Sequence, residues 1–335
     1  MGRRGVLIWV VATRVSNRPS GEVALSGRPP RRLASSSTTT VGGAVTAYLN
    51  GQYLPRSSAT IPVEDRGLIF GDGVYEVWRV VNGRLFETDR HLARLSFGLR
   101  ELRITPPDIT RRGVLEEVAD RLLSESGLLD CEATLYVEVT RGVAPRTHQF
   151  PPAGTAPTVF AMANRFKPPN DVRSRGASAI TTPDIRWLRC DIKTIQLLPN
   201  VMAKQAAAER GAIEALMIRD GVVTEGSHAN VLGVIDGEIR THPLGNLILP
   251  GITRAVVLDI ARALSIPVRE EAFSEGDIAR LDECFLAGTT ADVMPIVRVN
   301  DRPIGSGAAG PITMRLFNEF RAHLDASCAA ASASP

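Results

Sequence analysis

Lysine is the residue this chain nearly does without. Three of them, Lys167, Lys193 and Lys204, stand against thirty-six arginines in 335 positions. A lysine amine is the common side chain able to form a Schiff base with a carbonyl compound, so any imine chemistry is confined to three candidates. Lys167 runs into Pro168-Pro169 and reads as linker, and Lys204 lies in the Ala-rich, helical stretch Met202 to Glu209. Lys193 closes Ile185-Arg-Trp-Leu-Arg-Cys-Asp-Ile-Lys193, where aromatic, aliphatic and charged residues crowd together. If the protein performs imine chemistry, Lys193 is the residue to do it. The preference for arginine elsewhere follows genome base composition.

Cysteine is nearly as scarce. Cys131, Cys190, Cys284 and Cys328 are widely spaced with no CxxC pair, which argues against a disulfide scaffold and a structural zinc site and fits a reducing, cytoplasmic setting. No run approaches the ~18 apolar residues of a membrane helix. Excess charge is missing too. The formal net charge is +3, but residues 1–45 hold seven arginines and one acid, Glu22, so the rest of the chain is mildly acidic at −3. That leaves no electrostatic footprint for nucleic acid or an anionic membrane as partner. The same 45 residues carry Val6 to Ala12 behind Arg3-Arg4, a faint signal-peptide pattern, yet Arg14 stands where cleavage should occur. An Arg-rich, Ser-rich, acid-poor composition also describes transit peptides. The reading adopted is a disordered or mis-assigned extension outside the fold.

At 335 residues the chain is long enough for two domains, since single cores stop growing at about 250–300 residues. Regular structure is expected from Thr46. Asn50-Gly51 and Asn82-Gly83 mark two hairpins, the second joining Val74–Val81 to Arg84–Phe86. A helix from about Thr88 places Leu92, Leu95, Leu99 and Leu102 on one face, with Thr88 or Asp89 as cap, and another follows Pro106-Pro107. Strands are expected at Leu135–Thr140 and Thr158–Ala163. Pro168-Pro169 makes residues 167–171 a linker between a small N-terminal domain (46–166) and a larger one (172–325), with 326–335 a flexible tail. Beyond the linker come strands at Ala215–Ile218, Asn230–Ile235, Val268–Phe273, Glu283–Ala287 and Val293–Val299. A helix follows Pro250-Gly251 and a terminal one starts near Ile312. Strands and helices mix without strict alternation, which predicts an α+β fold.

Four segments suit one site. Gly251-Ile252-Thr253-Arg254 opens a helix, where free N–H groups and the macrodipole favour a phosphate; alone it reads first as an ordinary cap. Thr224-Glu225-Gly226-Ser227-His228-Ala229-Asn230 is a polar stretch between strands, either a solvated turn or a carboxylate aimed at a protonated ring nitrogen. Gly288-Thr289-Thr290-Ala291 ends an apolar strand with hydroxyls suited to a phosphate cup. Lys193 is the fourth.

Taken with Phe70-Gly-Asp-Gly-Val-Tyr-Glu76, Thr140-Arg-Gly-Val-Ala-Pro-Arg-Thr-His-Gln-Phe150, Asp184–Lys193 and Leu249-Pro-Gly-Ile-Thr-Arg254, these segments closely resemble the D-amino acid (D-alanine) aminotransferases, pyridoxal-phosphate enzymes of fold type IV. The resemblance runs in order from about residue 46 to 322. It implies pyridoxal 5'-phosphate as cofactor and transamination between a D-amino acid, D-alanine first, and a 2-oxo acid such as 2-oxoglutarate. Lys193 would form the Schiff base and shuttle the α-proton. Glu225 would hold the ring nitrogen protonated. Arg94, the backbone of Ile252 and Thr253, and Thr289 would seat the phosphate, and Leu249 would pack on the ring. Tyr75, Arg146 and His148 would trap the substrate α-carboxylate, a role that suits a guanidinium fork. Arg146 and His148 would reach in from a partner subunit, implying a homodimer. Two positions depart from the pattern: His228, where a serine run is common, and Gly288, where a serine is common. Both put the substrate range in question. Branched-chain L-amino acid aminotransferases, (R)-selective amine transaminases and aminodeoxychorismate lyases share the scaffold and stand as the alternatives. A cofactor carrier without turnover is a weaker rival, because Lys193 and Glu225 are both present.

Overall fold

The computed structural model describes residues 46–329, so the N-terminal extension and the end of the expected tail lie outside the described residues. Strands β1 (Thr46–Leu49) and β2 (Gln52–Pro55) form the first hairpin; a short α1 (Arg66–Phe70) leads into β3 (Gly73–Val81) and β4 (Arg84–Leu85). Helices α2 (Thr88–Glu101) and α3 (Arg112–Glu125) follow, then β5 (Ala133–Thr140) and β6 (Thr158–Arg165). These six strands make one sheet in the order β2-β1-β6-β5-β3-β4, antiparallel throughout. Alternate strand residues point to one face, and here Trp78, Val80, Leu135 and Val137 meet Leu95, Leu99, Leu115 and Leu122 of the two helices in a buried core.

The second half opens with α4 (Asn170–Arg175), β7 (Ala177–Pro183) and α5 (Leu198–Glu209). It continues through β8 (Glu214–Arg219), β9 (Val222–Gly226), β10 (Asn230–Ile235), β11 (Glu238–Thr241) and α6 (Ile252–Ala263). It closes with β12 (Val268–Arg269), β13 (Glu283–Gly288), β14 (Asp292–Val299), β15 (Arg302–Pro303) and α7 (Pro311–Ser327). The nine-stranded sheet runs β12-β11-β10-β13-β14-β7-β8-β9, with β15 paired to β14. It is mixed: β14, β7 and β8 run parallel, while β10, β13 and β14 alternate in direction. Helices beside a mixed sheet agree with the α+β expectation. On one face α6 and α7 bury Val256, Val257, Leu316 and Phe320 against Leu232 and Phe285. Val81 and Phe86, from the first sheet's β3–β4 hairpin, join the same cluster, with the Phe86 and Phe320 rings edge-on at 5.8 Å. The two sheets are thus tied by apolar contact.

Local details differ from expectation. Helix α2 takes neither Thr88 nor Asp89 as cap: Glu87, in the left-handed region at φ 53°, precedes the helix without a side-chain cap, and Thr88 Oγ1 donates backwards to the Leu85 carbonyl. Leu102 follows the helix as its C-cap. Helix α4 begins inside the expected linker. A proline cannot donate but its carbonyl still accepts, and Arg173 N bonds to Pro169 O. The expected strand at 268–273 shortens to Val268–Arg269; Phe273 instead offers its carbonyl to Val223 on the other side of the sheet. Thr224-Glu225-Gly226 is no turn but the buried end of β9, because its polar groups find partners inside.

Candidate active site

Lys193 sits between β7 and α5, in a segment stitched to β3 as if it were a further strand. Tyr75 N donates to the Lys193 carbonyl at 3.0 Å, Ile195 N donates to Gly73 O at 3.2 Å, and Val74 bridges Thr194. The segment fixes the Lys193 backbone and leaves its amine free to enter a cavity of about 660 Å³. There Nζ lies 4.1 Å from the centre of the Tyr75 ring, a cation–π contact, with no hydrogen-bond partner among the described residues.

Opposite, Glu225 is held by three donors. Arg186 Nη1 donates to Oε1, Asn230 Nδ2 donates to Oε2 at 2.9 Å, and the Leu249 amide reaches both oxygens at 3.1–3.2 Å. Complete burial pushes the Glu225 carboxyl up to about 7, against the lowering pull of Arg186 and the Leu249 amide. Arg186 is anchored by Asp184, which accepts from Nε at 2.9 Å and Nη2 at 2.8 Å. Burial would raise the Asp184 carboxyl too, but Arg186 and Thr224 bring it down to about 2.

A third wall is the start of α6. Ile252 and Thr253 line the cavity, and Gly251 before them has no side chain because a Cβ there would fall 1.9 Å from Asn230 Oδ1. No side chain caps this helix, and its first turn is buried. Uncapped N–H groups at the positive end of a twelve-residue helix are a seat for an anion. Thr289, in the turn after β13, lines the same end, and its carbonyl accepts from the buried Arg79 at 3.2 Å. Arg79 is braced by Glu132 and by Asp292, which also pairs with Arg173. Arg94, on α2, reaches the cavity with most of its fork committed: Nε and Nη2 donate to Glu76 at 2.6 and 2.9 Å, and Nη1 to the Pro250 carbonyl at 2.9 Å. The pair with Arg94 and His91 holds the fully buried Glu76 carboxyl well below the usual range despite its desolvation.

Eight of the ten residues singled out from sequence therefore line one cavity: Tyr75, Arg94, Lys193, Glu225, Leu249, Ile252, Thr253 and Thr289. Arg146 and His148 do not line it. Both are exposed on the loop after β5, against the Phe70 ring at 5.5 and 5.6 Å, and Phe70 itself lines the cavity. The loop is pinned rather than free, since Arg66 donates to the Thr147 carbonyl at 2.8 Å and pairs with Asp72. Sequence reasoning missed Arg186, Asn230, Glu76 and Arg79. A signal existed for two of them: Glu76 and Arg79 interrupt an otherwise apolar nine-residue strand, and a charge buried in a strand requires a buried partner.

The family model described as Amino-transferase class IV matches residues 73–299. The chain belongs to the class IV aminotransferases. This aminotransferase is 44% identical over 266 residues to a D-alanine aminotransferase of Bacillus licheniformis, covering 79% of this chain and 92% of that protein. Among solved structures, the branched-chain amino acid aminotransferase of Escherichia coli superposes with a TM-score of 0.78 at 23% identity, over 87% of this chain and 98% of that one. That likeness shows the fold. The branched-chain enzyme of T.th., complexed with N-(5'-phosphopyridoxyl)-L-glutamate, gives 0.75 at 27% identity, covering 85% and 94%. The residues gathered here suit such a phosphorylated pyridine: an uncapped helix N-terminus for the phosphate, a buried carboxyl for a ring nitrogen and a lysine without a hydrogen-bond partner, all lining one cavity.

Proposed function

We propose that this aminotransferase moves the amino group of a D-amino acid, D-alanine first, to a 2-oxo acid, 2-oxoglutarate, yielding pyruvate and D-glutamate, with pyridoxal 5'-phosphate as cofactor. The observation that carries the reading is that a lysine amine without a hydrogen-bond partner and buried Glu225 line one cavity; the extensive likeness to a D-alanine aminotransferase supports the choice of substrate. When bound, the cofactor supplies an electron sink for the substrate's α-carbon. Lys193 Nζ would hold the cofactor's carbonyl carbon and, once freed by the substrate amine, would accept the α-proton and return it. Glu225 would hold a proton on the ring nitrogen, ionising as that cation arrives, with Arg186 donating to its Oε1. The α6 N-terminus, Thr289 and the two N–H groups Arg94 has left would hold the phosphate, Leu249 would pack on the ring, and Tyr75 would help bind the substrate α-carboxylate.

The active unit is a homodimer in this reading. Arg146 and His148, which do not line their own cavity, bind the α-carboxylate in a partner's. Exposed apolar side chains beside them, Val63 at 79%, Leu68 at 69% and Phe150 at 52%, support a covered face. No helix among the described residues is long and apolar enough to cross a membrane. All four cysteines are free, which supports the cytoplasm as its place. The small amino acid and 2-oxo acid are its substrates, and neither nucleic acid nor membrane is a partner.

Two tests follow. Purified enzyme should be yellow and lose that colour with D-alanine; a chromophore that persists with D-alanine unconsumed, or that responds to L-leucine instead, overturns the substrate. Mixing Lys193→Ala subunits with Arg146→Ala/His148→Ala subunits should restore about a quarter of wild-type activity, since half the dimers then hold one intact site. No recovery after exchange overturns the shared site.

A further inference from the structure

His228 and Gly288, the two departures from the D-amino acid aminotransferase pattern, lie side by side. A Cβ on Gly288 would stand 3.2 Å from Ala229 Cβ and 3.6 Å from the His228 carbonyl, so the end of β13 packs directly on the Ser227–Ala229 loop. Asn200 Nδ2 holds the same loop through the Ser227 carbonyl at 2.8 Å. Beneath it lies Glu214 of β8, fully buried. Its Oε1 accepts from Ala215 N at 2.7 Å, from Ser227 N at 3.0 Å and from Ser227 Oγ, while Oε2 lies 2.7 Å from His228 Nδ1.

Burial alone would raise the Glu214 carboxyl, but the close contact and charge of His228, with help from Lys204 and Ser227, bring it down to about 2. Glu214 is therefore ionised, with Oε2 2.7 Å from His228 Nδ1 and accepting no hydrogen bond among the described residues. The contact sets the Nδ1 side of the ring against Glu214 and leaves Nε2 for the cavity wall, where the side chain is 45% exposed. Nε2 has no hydrogen-bond partner among the described residues. The other cations lining the cavity are occupied: Arg94 by Glu76, Arg186 by Asp184 and Glu225, and Lys193 by the chemistry. The Glu214 carboxylate behind the ring orients it, and its Nε2 on the cavity wall can meet a second anion.

Resting on the reading above, we infer that His228 is a specificity-determining residue: it binds the distal carboxylate of the dicarboxylic substrate, 2-oxoglutarate or D-glutamate, with Glu214 as its positioning residue. The α-carboxylate is assigned to Arg146 and His148 and the phosphate to α6, so the distal carboxylate is the one anion left without a partner. Pyruvate and D-alanine carry no such group, and the pair therefore distinguishes the two sides of the reaction.

The test titrates holoenzyme with glutarate and butyrate, unreactive acids that differ in one carboxylate, by calorimetry, and measures KM for 2-oxoglutarate and pyruvate. The variant is His228→Asn, whose amide can donate to Glu214 but carries no charge. The ratio of glutarate to butyrate dissociation constants should rise about tenfold, as for loss of a charge-assisted hydrogen bond, and the ratio of the two KM values should rise with it. Glu214→Gln should move both ratios the same way. Equal weakening of both acids would assign His228 to the α-carboxylate or to loop structure, and an unchanged glutarate constant would remove it from binding; either result overturns the inference. A wild-type enzyme that binds glutarate but leaves D-alanine untouched would instead refute the proposed reaction, so the two failures are separable.

Discussion

Replacing Glu225 by Gln removes the ionisable carboxyl from the centre of the site while keeping its shape and an oxygen for the Leu249 amide. Two consequences can be sized. A hydrogen bond to a charged group is worth about 1.5–3 kcal/mol, and each ~1.36 kcal/mol in a barrier is tenfold in rate. Turnover of D-alanine should therefore fall about ten- to a hundredfold. The second consequence concerns stability without the cofactor. Folded Glu225 keeps its proton up to about 7, whereas an unfolded glutamate releases it near 4.5. Folding thus holds an extra proton between those values. The group's contribution is complete below 4.5 and is lost as pH rises through 7, a difference of about 3 kcal/mol. Urea unfolding of cofactor-free protein at pH 5 and pH 8 should show that loss in the wild type and not in Glu225→Gln, alongside stopped-flow measurement of the D-alanine half-reaction. Turnover within twofold of wild type, together with an unchanged pH profile of stability, would refute the role of Glu225 and the burial argument at once.

Other consequences are more local. Arg79→Met leaves the Thr289 carbonyl without its donor and Glu132 without its buried partner; stability should drop by about 3 kcal/mol, and titration of cofactor-free protein should show several-fold weaker binding of pyridoxal 5'-phosphate. An unchanged affinity would show that the turn is positioned by something else. Glu283, on β13, accepts from Ile312 N at 3.0 Å, Thr313 N at 2.7 Å and Thr313 Oγ1 at 2.6 Å, capping a helix whose own Gly310 supplies no side chain. Glu283→Ala should cost about 2 kcal/mol in urea unfolding with little change in KM; a loss under 0.5 kcal/mol, about the size of an ordinary surface change, would argue against the cap.

Much of the site was legible because its residues announce themselves locally. Asn-Gly pairs place the hairpins, leucine spacing places α2, and Gly251-Ile252-Thr253 marks a helix start with no side chain to cap it. What stayed hidden depends on partners distant in sequence. Arg186 reads as one charge among several until Asp184 and Glu225 are seen to share it across 39 positions. The Thr224–Gly226 stretch looks like a solvated turn because its polarity is visible in sequence and the groups that satisfy it are not. Helix α4 was hidden for a different reason: Pro168-Pro169 suggests extended chain, yet proline carbonyls can start a helix. Arg146 and His148 have no role legible from composition, and within one chain their geometry gives them none; their assignment rests on a second subunit.

Lys193 carries the central claim, and the scarcity of lysine makes it directly measurable. Borohydride reduction of the holoenzyme followed by peptide mass spectrometry should place a phosphopyridoxyl group on the peptide containing Lys193, with Lys167 and Lys204 unmodified; a label on either of those, or on none of the three, would contradict the account.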